Sequence, residues 1–216
     1  MNCSEERTVA VVDVGSNTIK LLVARNSPNG SLLPLLEHSD PTRIGAGIGS
    51  DAPVLSEKSV KEGVKAVERL LEKAIPFAPT TLRIVATGAV RDASNGAAFA
   101  EKVQAATGRP LEILTGEEEA AGIAAGLATD PELAPRESFL ACDLGGGSLE
   151  LIRVEELSAQ AVTSLPLGAV RLTERFLADP AEPVSNEDLE RLSAYVRKVL
   201  ADAEVQLHVD NLWPPE

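Results

Sequence analysis

The sequence predicts an α/β protein built on one plan used twice, and three observations predict it. Asp13-Val14-Gly15-Ser16-Asn17-Thr18-Ile19-Lys20-Leu21-Leu22 reappears as Asp143-Leu144-Gly145-Gly146-Gly147-Ser148-Leu149-Glu150-Leu151-Ile152. Each copy follows one apolar run (Val9 to Val12, Phe139 to Cys142) and leads into another, so each reads as a β-hairpin with an Asp and small residues at its tip. Strand patterns then alternate with helical ones, the signature of a mixed sheet flanked by helices.

In chain order, three strands come first: Thr8 to Val14, Thr18 to Arg25 and Leu32 to Glu37, with a turn at Ser27-Pro28-Asn29-Gly30. Arg43 to Pro53, rich in Gly and short residues, reads as a loop. Ser56 opens a helix whose apolar positions Val60, Val64, Val67, Leu70 and Leu71 keep helical spacing, and Pro76 and Pro79 end it. Leu82 to Thr87 is a strand, Asp92 to Thr107 a helix, Leu111 to Leu114 a strand and Glu117 to Leu127 a helix. The order is βββαβαβα. Thr129 to Pro135 reads as a hinge, which sets a first domain at 1–128 and a second at 136–216. The second repeats strands at 138–144, 148–154 and 160–165 and helices near 168–178 and 186–205, then ends incomplete. The tail Val209 to Glu216 is too short to supply the rest.

With 216 residues, 44% hydrophobic and 3% aromatic, aliphatic side chains must fill the core. Apolar runs are too short to span a bilayer, and Met1 to Arg7 lack a signal-peptide core. Cys3 and Cys142 are the only cysteines, the latter expected inside a buried strand, so no disulfide framework is implied. A cytoplasmic location fits. The formal charge of −13 argues against nucleic-acid binding, which needs a basic footprint. A polyanionic ligand still needs only a local pocket of amides, arginine and a divalent cation.

The two hairpin tips, Ser16-Asn17-Thr18 and Gly145-Gly146-Gly147-Ser148, carry the first chemical signal. Glycine lets the main chain approach an anion, and successive N–H groups make a nest for phosphate. Asp143 and Glu150 flank the second tip, and Mg²⁺ favours a few carboxylates with phosphate oxygens. The bland alternative is a Gly-rich turn without a ligand; the second copy argues against it. Glu117-Glu118-Glu119 start a helix, which fits either the macrodipole or a general base. Arg91 stands where a strand gives way to a helix, facing phosphate or paired with Asp92. Gly168 to Arg171 form a similar junction, which fits cleft-facing amides or an ordinary helix start. His38 and His208 are isolated, so zinc is not expected.

Together, Asp13 to Thr18, Ala86 to Asn95, Ile113 to Gly126, Asp143 to Glu150 and Ser164 to Glu174 resemble the exopolyphosphatase/guanosine pentaphosphatase family of the actin–Hsp70–sugar kinase superfamily. The resemblance implies two ribonuclease-H-like (actin-like ATPase) domains, the second incomplete here, with a phosphate-binding cleft between them. It also implies Mg²⁺-dependent attack of water on a terminal phosphoanhydride, with K⁺ a further candidate cofactor. The family's Gly-x-Glu-Glu-Ala motif makes Glu118 the proposed base. Asn17, Arg91, Gly145, Gly146, Gly147 and Ser148 would hold phosphates, Asp143 and Glu150 the metal. Two departures stand out: Gly88 replaces the family's usual Ser, and the family's Gly-Gly-Thr segment and later helices have no counterpart.

The expected substrate is inorganic polyphosphate, since repeated phosphates suit recognition by backbone amides. Guanosine pentaphosphate is the alternative within enzymes. A catalytically silent phosphate-binding protein is the alternative outside them, and a kinase or chaperone ATPase stands further off. An incomplete second sheet should leave an apolar face or strand edge for a partner to cover, which makes a homodimer the expected assembly.

Overall fold

The computed structural model describes residues 7–27, 32–50, 52–130, 132–133, 136–156, 158–177, 179 and 181–207, the last four as backbone. Outside the described residues lie Pro28 to Gly30 of the expected turn, Pro131, Ala134 and Pro135 of the expected hinge, Cys3, His208 and the tail at 209–216.

The chain divides into two compact units. The first holds the described residues of Met1–Ile48 and Ala52–Leu114. The second holds those of Gly49–Asp51 and Thr115–Glu216.

The first unit is a five-stranded sheet in the order β3-β2-β1-β4-β5. Its strands are β1 (Thr8–Val14), β2 (Ile19–Asn26), β3 (Leu32–Asp40), β4 (Thr81–Ala86) and β5 (Leu111–Ile113). β1 to β3 pair antiparallel, while β4 lies parallel to both β1 and β5. This is the antiparallel-plus-parallel sheet the sequence predicts. Helix α1 (Glu57–Ala74) starts where the Ser56 hydroxyl accepts from the Ser59 N–H, a cap that satisfies an otherwise orphaned amide. Its Val67, Leu70 and Leu71 pack with Ala10, Val12, Val14 and Leu21 of the sheet in one core.

One expected helix is broken. Of the expected Asp92 to Thr107, Asp92 instead ends a short helix that begins earlier, α2 (Gly88–Asp92), and the helix proper is α3 (Gly96–Thr107). The Asn95 side chain is the cause: its Oδ1 accepts from Leu55 N–H and its Nδ2 donates to Leu55 O, both at 2.9 Å. A side chain that satisfies a distant backbone competes with helix continuation.

The second unit is an antiparallel sheet in the order β6-β7-β8, formed by Ser138–Leu144, Leu149–Glu155 and Ser158–Leu165. Helix α4 (Gly116–Leu127) packs on one face, placing Ala120 and Ala124 on Ile152 and Val154. Helices α5 (Ala169–Phe176) and α6 (Asn186–Leu207) serve the other face, where Leu151, Leu165, Leu167 and Ala203 are buried together. Chain order alone puts α4 in the first domain, with a boundary near 128; packing puts it in the second, because its small apolar stripe fits β7 and β8. The expected burial of Cys142 is also overturned. It is exposed, because β6 is an edge strand and, on the face Cys142 shares with Leu151, the apolar cluster under α5 and α6 takes in β7 and β8 but no residue of β6. Among the described residues no helix is long and apolar enough to cross a membrane.

Candidate active site

Each hairpin tip is pinned by its carbonyls, so the clamp does not use the tip's own amides. In the first unit, Arg43 N–H donates to Asn17 O and Gly45 N–H to Ser16 O. In the second, the first turn of α5 does the same work: Ala169 N–H donates to Gly145 O, and Val170 and Arg171 N–H to Gly146 O. The buried Arg171 adds an Nε–H bond to Gly147 O at 2.8 Å. The helix-start reading of Gly168 to Arg171 is therefore the correct one, since those amides serve the loop. Among the described residues, the N–H groups of Gly146, Gly147 and Ser148 meet no protein acceptor. Three adjacent free donors on a clamped loop make an anion nest. The amides of Ser16, Asn17 and Thr18 are in the same condition.

The polar side chains of the tips divide in role. Ser16 is buried and its hydroxyl accepts from Ala89 N–H at 3.1 Å, which ties the first tip to the start of α2. Asn17 is exposed and Thr18 half-buried. Arg91, on α2, is mostly covered; its Nε lies 3.7 Å from Asp92 and its guanidinium reaches Leu114 O at 3.4 Å. The neighbouring-ion-pair alternative for Arg91 thus has geometry in its favour.

A row of three polar residues crosses the second sheet. Asp143 on β6 stands opposite Glu150 on β7, and Glu150 stands opposite Ser164 on β8. Residues directly opposite one another share a face, so all three lie on the side that carries α4. Glu150 is only 1% exposed, and its Oε1 accepts from Ser164 Oγ at 2.8 Å. Two facing carboxylates repel unless a cation or proton joins them. The N-terminus of α4 lies on this row: a Cβ on Gly116 would come within 2.9 Å of Ser164 Cβ. The positive end of that helix favours a buried carboxylate beside it.

Glu118 occupies the third position of α4 in a reciprocal cap. Thr115 N–H donates to its Oε2 at 2.9 Å, and Glu118 N–H donates to Thr115 Oγ1 at 3.2 Å. The cap fixes the carboxylate's direction while the side chain stays exposed, with its other oxygen left for water. Capping and base roles are therefore compatible in one residue.

Glu118, Asp143, Gly145, Gly146, Gly147, Ser148 and Glu150 all belong to the second unit; Ser16, Asn17, Thr18 and Arg91 belong to the first. Ser164 escaped the sequence reading as a site residue. It heads the Ser164 to Glu174 segment of the family resemblance, and the count of residues along the third strand places it beside Glu150 once the register is known. Among the described residues no three His, Cys, Asp or Glu side chains gather as a metal cage. The Asp143–Glu150 pair still fits Mg²⁺, which takes one or two carboxylates and completes its shell with water and substrate phosphate.

The Ppx/GppA phosphatase family model matches residues 22–213. The guanosine-5'-triphosphate,3'-diphosphate pyrophosphatase of Vibrio campbellii is 35% identical over 170 residues, covering 79% of this chain and 33% of that protein. The chain thus spans about a third of the length of such relatives. Among solved structures, the Aquifex aeolicus PPX-GPPA enzyme aligns with a TM-score of 0.72 at 29% identity, over 92% of this chain and 64% of that one. An exopolyphosphatase from Cytophaga hutchinsonii shares the fold with a TM-score of 0.82 at 21% identity, over 95% and 64% of the two chains.

Proposed function

The chain belongs to the Ppx/GppA phosphatase family, and from that premise we propose that it hydrolyses the terminal phosphoanhydride of inorganic polyphosphate. The observation that carries this reading is the second unit's combination of a clamped nest of amides with a facing carboxylate pair and a capped Glu118. Phosphoryl transfer passes through a loose transition state, so positioning and neutralisation of oxygen charge matter more than a covalent partner.

In this reading the Gly146, Gly147 and Ser148 amides hold non-bridging oxygens of the terminal phosphate. Glu118 orients a water and accepts its proton as the water oxygen bonds to phosphorus. The bridging P–O bond breaks, releasing inorganic phosphate and a chain shorter by one unit. Asp143 and Glu150 would hold Mg²⁺, which when bound supplies positive charge to the phosphate oxygens. Asn17 and Thr18 offer donors of the same kind within the first unit, where the Ser16 hydroxyl serves Ala89 and Arg91 stands beside Asp92.

A second reading, hydrolysis of guanosine pentaphosphate, is favoured by the name of the Vibrio campbellii relative. Amides read phosphate without reading a base, so competition between guanosine pentaphosphate and long-chain polyphosphate separates the two. The primary test is phosphate release from polyphosphate with Mg²⁺. Glu118→Gln should lower kcat by about 10²-fold or more, the scale of general base catalysis. No release by a parent protein that unfolds cooperatively would instead support a silent phosphate-binding protein.

A further inference from the structure

We propose that Ser164 is a positioning residue that joins the two working parts of this site, the metal-facing carboxylate of Glu150 and the helix N-terminus that carries Glu118. The inference rests on the hydrolase reading and deepens it.

The physical case has three parts. Glu150 is almost wholly buried, and a buried carboxylate must find donors to replace water. Ser164 Oγ supplies one, at 2.8 Å to Oε1, which holds that oxygen and leaves Oε2 for another partner, with Asp143 at the paired position on β6. The same residue is also the floor under α4. The bare Cα of Gly116 lets the helix start settle on Ser164, since even one added carbon would come within 2.9 Å of Ser164 Cβ. From Gly116 the capping box runs through Thr115 to Glu118. One small hydroxyl residue therefore sets the carboxylate below it by a hydrogen bond and the base-bearing turn above it by contact.

Partners that orient metal-holding carboxylates typically matter by about 10–100-fold in affinity or activity. Ser164→Ala should therefore weaken Mn²⁺ binding, read by electron paramagnetic resonance without substrate, by about 10–100-fold. It should lower kcat for polyphosphate by a similar factor and leave KM within about twofold, because the amides that hold phosphate are untouched. Ser164→Cys keeps the volume with only a weak donor, so it should behave like Ser164→Ala. In a Glu150→Gln background, Ser164→Ala should change Mn²⁺ binding by less than about twofold, as expected of residues acting through one contact.

Parent-like Mn²⁺ binding by Ser164→Ala overturns the proposal, as does a parent-like Ser164→Cys or an equal loss with and without Glu150. If the parent binds Mn²⁺ and releases phosphate in those cases, the hydrolase reading survives. A parent that does neither overturns both.

Discussion

The hairpins β1–β2 and β6–β7 are near-copies in sequence and register, yet they differ sharply in burial. Ala10, Val12 and Val14 on β1 are at most 1% exposed. Their counterparts Leu140, Cys142 and Leu144 are half-buried, exposed and 62% exposed. The local pattern is alike; the neighbours are not. β1 has β2 on one side and parallel β4 on the other, with α1 packed into the same core. Among the described residues β6 has only β7. A repeated hairpin is thus a repeated local structure, while burial belongs to whatever packs around it.

The tips invert that ranking. The second tip, in the barer sheet, has the tighter clamp. A Cβ on Gly168 would lie 2.2 Å from Gly147 C and 2.4 Å from Gly146 O, both backbone atoms that cannot swing aside. A Cβ on Gly45, which pins the first tip, would meet Ser16 Cβ and O at 2.9 Å. Gly168→Ala should therefore cost about 3 kcal/mol or more, and Gly45→Ala about 1–2 kcal/mol, on the scale of overpacked sites. Urea unfolding of the two variants measures both. Equal losses would mean that the second tip yields as easily as the first, and the comparison would break.

The strands should respond the other way. Val12→Ala removes buried methyl groups and leaves a cavity, at a cost of about 2 kcal/mol. Cys142→Ala at the matching position should stay within about 0.5 kcal/mol, as surface changes usually do. A loss of comparable size at Cys142 would show that something covers β6 in solution, and concentration-dependent unfolding would then identify a second copy as the cover.

The same contrast explains what could be read from the sequence. Strand order, both hairpins, α1 and the approximate bounds of α4 to α6 follow from local periodicity and caps, which are properties of short segments. Ser138–Leu144 was placed to the residue because an apolar run and an acidic turn bound it. Glu118, Asp143, Glu150 and the two tips were legible as chemistry because carboxylates and glycines in such runs are rarely needed for packing. Three things were not legible. The allegiance of α4 depends on which sheet its alanine stripe fits, and the stripe is too plain to say. The break before α3 depends on Asn95 finding Leu55, forty residues away. Ser164 heads a segment of the family resemblance, but only register puts it beside Glu150.

The smallest effect tests the first unit alone and turns on pH. The Arg69 guanidinium hydrogen-bonds Asp40 at 2.6 Å and, helped by the Thr42 hydroxyl against the opposing pull of burial, holds the Asp40 carboxyl below its ordinary value. A carboxylate held low in the folded state stabilises it above the unfolded pKa of about 4, and this contribution disappears as pH falls through the lower folded value. The pair links β3 to α1, but Arg69 is half exposed, so screening keeps its worth under about 1 kcal/mol. The parent's stability should fall more steeply than that of Asp40→Asn as the pH drops from 5 to 3, with the gap narrowing in high salt. Parallel profiles would mean that the pair adds nothing. The first unit would then owe its greater burial to the apolar core under α1, without electrostatic help from its rim.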